Sequence, residues 1–217
     1  MKISLTLITI FISSAVILSG CKEKGHAQEF SYGVYENGKY INKFLGFTLD
    51  IPERWYVDSE DELKKVMGEL EKDDSFNEKG KEIIKKGKVR SADLFMAQLN
   101  NPYTFEAIIN PSFVINAERI DDVKPIQNAE DYMRISRRNM QAMVNEPVIF
   151  QEAARVELNG NQFDRHTIEN VEYGYKYKTT QFCEIMNGYA VIFTLSYANE
   201  MDRKELVKCL SSLEYKD

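Results

Sequence analysis

His26 and His166 are the two histidines of this 217-residue chain, the side chains whose ordinary titration falls near neutral pH. His26 sits in a polar, glycine-punctuated stretch. His166 closes the run Asp164-Arg165-His166 in a strand-like segment. If Asn159-Gly160 forms a two-residue hairpin turn, Arg155 faces Asp164 and Ala153 faces His166. A histidine beside a carboxylate is the arrangement of an oriented general base. The simpler reading of the same run is a polar sheet edge. No Gly-x-Ser-x-Gly elbow, P-loop or Gly-x-Gly-x-x-Gly turn is present. Asp73-Asp74 and Asp121-Asp122 fall in turns without the regular oxygen donors of a calcium loop. Two histidines and no closely spaced cysteine pair do not make a metal site of the usual kind. The sequence therefore points to no catalytic residue, no metal and no cofactor.

Binding chemistry is better represented. Tyr173, Tyr175 and Tyr177 alternate along one strand, so their rings share a sheet face and could form a platform for a peptide, glycan or protein partner. The same face continues to Cys183 and Ile185, which reads as core. Cys183 falls in a predicted strand and Cys209 in the final predicted helix. They could form a disulfide stapling helix to sheet, or remain buried free thiols; a bridge requires α-carbons within about 7 Å.

The third cysteine has a different setting. Met1-Lys2 opens a leader that continues through the apolar run Ile3 to Leu18 and closes on Leu18-Ser19-Gly20-Cys21. One positive charge, an apolar core and small residues before a cut describe an export signal. Thr6, Thr9, Ser13 and Ser14 dilute the run, and it is short for a membrane span of about 20 residues. The box ending in cysteine resembles that of bacterial lipoproteins. That resemblance implies removal of residues 1–20, acylation of Cys21, and a place at the cell membrane or outer membrane. Each buried methylene adds about 0.8 kcal/mol to such an anchor.

Charge narrows the partners. The chain has 28 basic and 34 acidic residues, a net −6, and loss of the leader with its Lys2 makes it one more negative. An acidic surface does not neutralise phosphates, so no nucleic acid is expected. Nor does it offer a polybasic attraction to anionic lipid. The acyl chains would be the only hold on the membrane.

Behind the leader, residues 21–38 read as a tether and 39–217 as one domain, with 43% apolar and 12% aromatic residues in the whole chain. Phe47, Leu49 and Ile51 alternate as a strand stopped by Pro52, and Trp55 follows as a lid on the core edge. Ser59-Glu60-Asp61-Glu62 is a capping box ahead of the stripe Leu63, Val66, Met67, Leu70; Ser75-Phe76-Asn77-Glu78 repeats it before Ile83 and Ile84. Lys79, Lys81, Lys85, Lys86 and Lys88 form a solvated helix face. Strands are expected at 92–99 and 105–115 around the turn Asn100-Asn101-Pro102. A helix is expected from Ala129 to Asn145, with Asn128 as N-cap, a buried face of Tyr132, Met133, Met140 and Met143, and arginines outward. Strands 148–158 and 162–171 flank Asn159-Gly160, and strands 173–186 and 189–197 flank Asn187-Gly188. Residues 189–195 are apolar on both faces, which suits a central strand covered on both sides. A closing helix starts near Asn199 and buries Leu206, Leu210 and Leu213.

These features predict an α+β protein, a mainly antiparallel sheet with helices on both faces. The opening LGFTLDIPERW and the closing GYAVIFTLSYANEMDRKELVKCLSSLEY resemble the PsbP-like fold over residues 40–217. The resemblance implies an α/β/α sandwich whose members act as binding or assembly modules, and it transfers no catalytic or metal residue. The expected role is thus a lipid-anchored, non-catalytic protein-binding or assembly module, the alternative a small-ligand carrier with a pocket between helix and sheet, and the third reading an envelope hydrolase.

Overall fold

The computed structural model describes residues 30–70, 75–87, 90–120, 126–151, 153–172 and 174–215. The leader, Cys21, His26, Asp73-Asp74, Lys88, Asp121-Asp122 and Tyr173 lie outside the described residues, as do the side chains of Met67, Leu70 and Lys86.

In chain order, β1 (Val34–Glu36), β2 (Lys39–Asn42), β3 (Phe47–Asp50) and β4 (Tyr56–Val57) precede two helices, α1 (Glu60–Leu70) and α2 (Glu78–Gly87). Next come β5 (Ser91–Gln98), β6 (Ser112–Arg119), α3 (Ala129–Met143), β7 (Ile149–Phe150) and β8 (Ala154–Leu158). The chain closes with β9 (Asn161–Glu172), β10 (Tyr175–Met186), β11 (Tyr189–Tyr197), α4 (Glu200–Leu210) and β12 (Glu214–Tyr215). A large sheet runs β4-β5-β6-β11-β10-β9-β7, with β8 also on β9, and a small sheet runs β1-β2-β3-β12. Every pairing in both sheets is antiparallel.

Alternation divides the large sheet's two faces. Phe113 and Ile115 of β6 and Phe193 and Leu195 of β11 point to one side, where they meet the small sheet and Leu206, Leu210 and Leu213 at the C-terminal end. The opposite face is covered in two patches. Leu63, Phe76 and Ile83 pack over Met96 and Val114, while Tyr132 and Met133 of α3 pack over Cys183 and Ile192. β11 is central and buried on both sides, as its two-sided apolarity requires. The observed class is the expected one: α+β, mainly antiparallel, with helices on both faces of the sheet. Among the described residues no helix is long and apolar enough to cross a membrane.

Local signals explain most of the elements. Ser59 Oγ accepts from Glu62 N, and Glu62 Oε2 accepts from Ser59 N at 2.8 Å, a reciprocal capping box. Asn128 and Asn199 cap α3 and α4 through their side-chain oxygens. Asn159-Gly160 and Asn187-Gly188 take the left-handed backbone of tight hairpin turns.

Several boundaries differ from expectation. The fold begins before residue 39, inside the expected tether, because Asn37-Gly38 is a third hairpin turn of the same kind and joins β1 to β2. Asn77, not Ser75, caps α2: its Oδ1 accepts from Gly80 N at 2.8 Å, and its Nδ2 donates to the Ala142 carbonyl at the end of α3. The strand expected over 105–115 starts only at Ser112. Residues 100–110 form a loop tied by Asn101 and Asn110, and Leu99 N donates to the Pro111 carbonyl as the ladder begins. The strand expected over 148–158 is two pieces, β7 and β8, whose registers on β9 differ by one residue.

Candidate functional site: a groove on an open strand edge

The residues singled out by sequence do not assemble into one site. Arg155 does face Asp164 across the hairpin. His166, however, is no part of a polar sheet edge: it is fully buried between β9 and α3. Its Nε2 lies 2.8 Å from Gln181 Oε1, an amide rather than a carboxylate, and its Nδ1 has no hydrogen-bond partner. Phe150 packs edge-on to the imidazole at 5.5 Å, and the Arg137 guanidinium stands 5.3 Å over that phenyl ring. Burial lowers the His166 pKa to about 4, and nearby Arg137 adds to the effect, so the ring is neutral at physiological pH.

The tyrosine row does not form a continuous platform. Tyr175 is exposed at the hairpin end, 57% accessible, but Tyr177 is buried at 5%. The two candidate disulfide partners are free thiols. Cys183 points to the α3 face, whereas Cys209 packs with α4 on the other face, its Sγ 3.3 Å from the Asp50 carbonyl oxygen. The large sheet separates them. Burial raises both thiol pKa values, which keeps the groups protonated.

The feature with binding geometry lies elsewhere. β4 contributes two residues to the large sheet, pairing Tyr56 with Gln98 and Val57 with Ala97. Asp58 N still donates to the Met96 carbonyl at 3.1 Å, and the chain then turns away into α1. Among the described residues, no strand pairs with β5 from Ser91 to Phe95 on the side away from β6. Along that stretch runs a groove of about 750 Å³. Every residue from Ser91 to Met96 lines it. Successive strand side chains point to opposite faces, so an unbroken run of six can line one groove only where it opens on the strand's edge.

The two walls come from different layers. On the small-sheet side stand Tyr35 and Tyr40, with ring centroids 5.8 and 5.0 Å from that of Phe95. Tyr40 is held by its hydroxyl, which donates to the Tyr32 carbonyl at 2.6 Å. Gly33 is needed there: a β-carbon would come within 2.6 Å of the Tyr40 hydroxyl oxygen, and its φ of +81° is left-handed. The helical side supplies Leu63 and Lys64 from α1 and Ile84 from α2.

Asp58 stands where β4 leaves the edge. Gln98 Nε2 donates to both its carboxylate oxygens at 3.1 Å, and Gln98 Oε1 in turn accepts from Asn110 Nδ2 at 2.9 Å. Desolvation raises the Asp58 pKa to about 6, the Glu62 charge adds to the rise, and the Gln98 hydrogen bonds partly oppose it. Glu62, one turn into α1, goes the other way. Hydrogen bonds from Tyr103, Tyr56 and Ser59 lower its pKa to about 2. Asp58, Glu60 and Asp93 line the groove; Lys64 is bonded to Glu60 at 2.5 Å, and Asn116 Nδ2 donates to Asp93 at 2.7 Å. The site thus combines a main-chain edge, aromatic walls and the half-buried Asp58 carboxylate, which is recognition chemistry. Sequence reading passed over it, although the Asn37-Gly38 turn between Tyr35 and Tyr40 was a signal for one wall.

No protein-family model and no curated protein matches the sequence. Solved structures do show likeness in fold. A crystal structure from Bacteroides thetaiotaomicron aligns at 11% identity and a TM-score of 0.45, over 79% of this chain and 46% of that one, so this chain spans about half its length. LpqN, involved in cell envelope biogenesis of Mycobacterium tuberculosis, aligns at 9% identity and 0.42, over 79% and 83% of the two chains. Cyanobacterial PsbP from Synechocystis, of the family the sequence resembles, aligns at 13% identity and 0.45, over 91% and 98%.

Proposed function

We propose that this protein is an extracytoplasmic binding module, tethered to a membrane by acyl chains on Cys21, and that it binds a polypeptide partner in the β5 groove without catalysing a reaction. The observation that carries the reading is the groove of about 750 Å³ along a strand edge that no other strand covers among the described residues. That volume falls within the roughly 300–1,000 Å³ of ligand sites. An enclosed cavity of this size would favour a small solute. An open edge presents unpaired main-chain groups, which a polypeptide satisfies.

Two experiments test the two halves of the proposal. Labelled palmitate should enter the protein in cells and fail to enter the Cys21→Ser variant; equal labelling of both would remove the anchor. A photo-crosslinking phenylalanine analogue at Tyr35, in the groove, should trap a partner. The same analogue at Val171, exposed at the far end of β9, should not. Adducts at Val171 alone, or at neither position, would sink the groove as the binding site.

A further inference from the structure

Resting on the reading of the groove as the binding site, we propose that its occupant is an extended basic peptide segment, which adds to β5 as a strand and places a lysine or arginine side chain against Asp58. The track is already defined. β4 runs antiparallel to β5 as far as Val57, Asp58 makes one last main-chain bond to Met96, and beyond it no strand lies beside β5 among the described residues. A segment continuing that track would lie along Phe95 to Ser91, five residues or about 16 Å of strand. Main-chain bonds to the edge would supply affinity, and alternate side chains would enter the spaces on either side. One set meets Tyr35 and Tyr40, the other Leu63 and Ile84. The bulge between Asp93 and Phe95 twists the edge, so the segment must follow a bent path.

Charge selects the occupant. Asp58 is the carboxylate nearest the start of the vacant track, and Gln98, a neutral amide, is its side-chain hydrogen-bond partner. Glu60 is neutralised by Lys64, so the ammonium that lines the groove is not available to Asp58. A half-buried carboxylate with no cation bonded to it among the described residues costs free energy until one arrives, and a charge-assisted bond formed there is stronger than one in water. Tyrosine faces along the same wall suit the stem and head of a lysine or arginine. A second copy of this chain is not complementary, because each copy is net −6.

The test is selection of randomised seven-residue peptides displayed on phage against the full-length protein, followed by synthesis of the enriched sequences. Enriched peptides should carry lysine or arginine, and their binding by isothermal calorimetry should weaken about tenfold with Asp58→Asn. Lys64→Glu, which adds negative charge to the same groove, should tighten it. Methylation of alternate peptide amides should abolish binding, as pairing with a strand edge requires. Enriched peptides without basic preference, equal binding to Asp58→Asn, or indifference to amide methylation would each overturn this proposal. If no peptide is enriched while Tyr35 still crosslinks a partner, the strand-addition proposal fails and the groove stands. If neither occurs, both fail together.

Discussion

Asp58→Asn should make the protein more stable at pH 8, although it removes a charged group from a hydrogen-bonded network. Folding moves the Asp58 titration from 3.8 to about 6, because burial penalises the anion more than the Gln98 bonds reward it. That difference corresponds to at most about 3 kcal/mol of cost carried by the folded state above pH 6. Asp58 retains some solvent access, which screens part of this cost, and asparagine offers one oxygen where aspartate offers two to Gln98, a loss of about 1 kcal/mol. The net gain should be about 1–2 kcal/mol, or roughly 3–6 °C in Tm for a chain of this size. A carboxyl whose pKa is raised by folding binds its proton more tightly in the native state. The wild type therefore gains stability as pH falls through about 6, and the gain is complete below 3.8. The advantage of the variant should shrink over that window and disappear by pH 4. Urea unfolding followed by the fluorescence of Trp55, the single tryptophan and 4% exposed, measures this at each pH. A variant less stable than wild type at pH 8, or one whose advantage ignores pH, would refute the argument. A residue that costs stability in the free protein while facing a groove is what a binding role leads one to expect.

Other outcomes follow from the same geometry. The His166 ring should show no change in its carbon-bound proton shifts from pH 8 down to about 5, whereas an exposed histidine titrates near 6.5. An NMR titration reads this, and a midpoint above 6 would place the ring in water. Because the folded-state pKa is depressed, His166 contributes stability above 6.5 that is lost as pH falls toward 4, and His166→Gln should remove that loss from the urea series. In a Cys21→Ser form, Cys183 and Cys209 should be inert to a thiol reagent until urea unfolds the chain, when two equivalents react; a mass change on reduction alone would contradict the free thiols. Gly80→Ala should destabilise by about 2 kcal/mol despite alanine's better helix propensity, because the new methyl would fall 2.5 Å from the Met143 carbonyl oxygen where α2 meets α3. Thermal unfolding checks it, and an unchanged or higher Tm would mean that the two helices can part cheaply.

Interactions between near neighbours were legible in the chain. Ser59 with Glu62, Asn128 and Asn199 fixed where α1, α3 and α4 begin, since each closes a bond within one helical turn. Asn159-Gly160 and Asn187-Gly188 set the register of both long hairpins, and two-sided apolarity placed β11 at the centre. Asn37-Gly38 carried the same message and was readable by the same rule.

Tertiary structure decided the rest, because each remaining property depends on what lies across space. Tyr177 and Cys183 share a face by alternation, but only the seating of α3 covers Cys183, and only the sheet between them keeps Cys209 apart from Cys183. His166 is neutral because burial excludes water around it, with Phe150 packed edge-on, and this outweighs the Gln181 hydrogen bond that favours the charged ring. The groove is the clearest case. Whether β5 is an edge depends on β4 ending after two residues, some forty positions earlier in the chain. The raised titration of Asp58 comes from its desolvation, and Gln98, across that same pairing, holds part of the rise back. Local sequence encodes which strands and helices can form; exposed edges and shifted charges arise only when their distant neighbours arrive, or fail to.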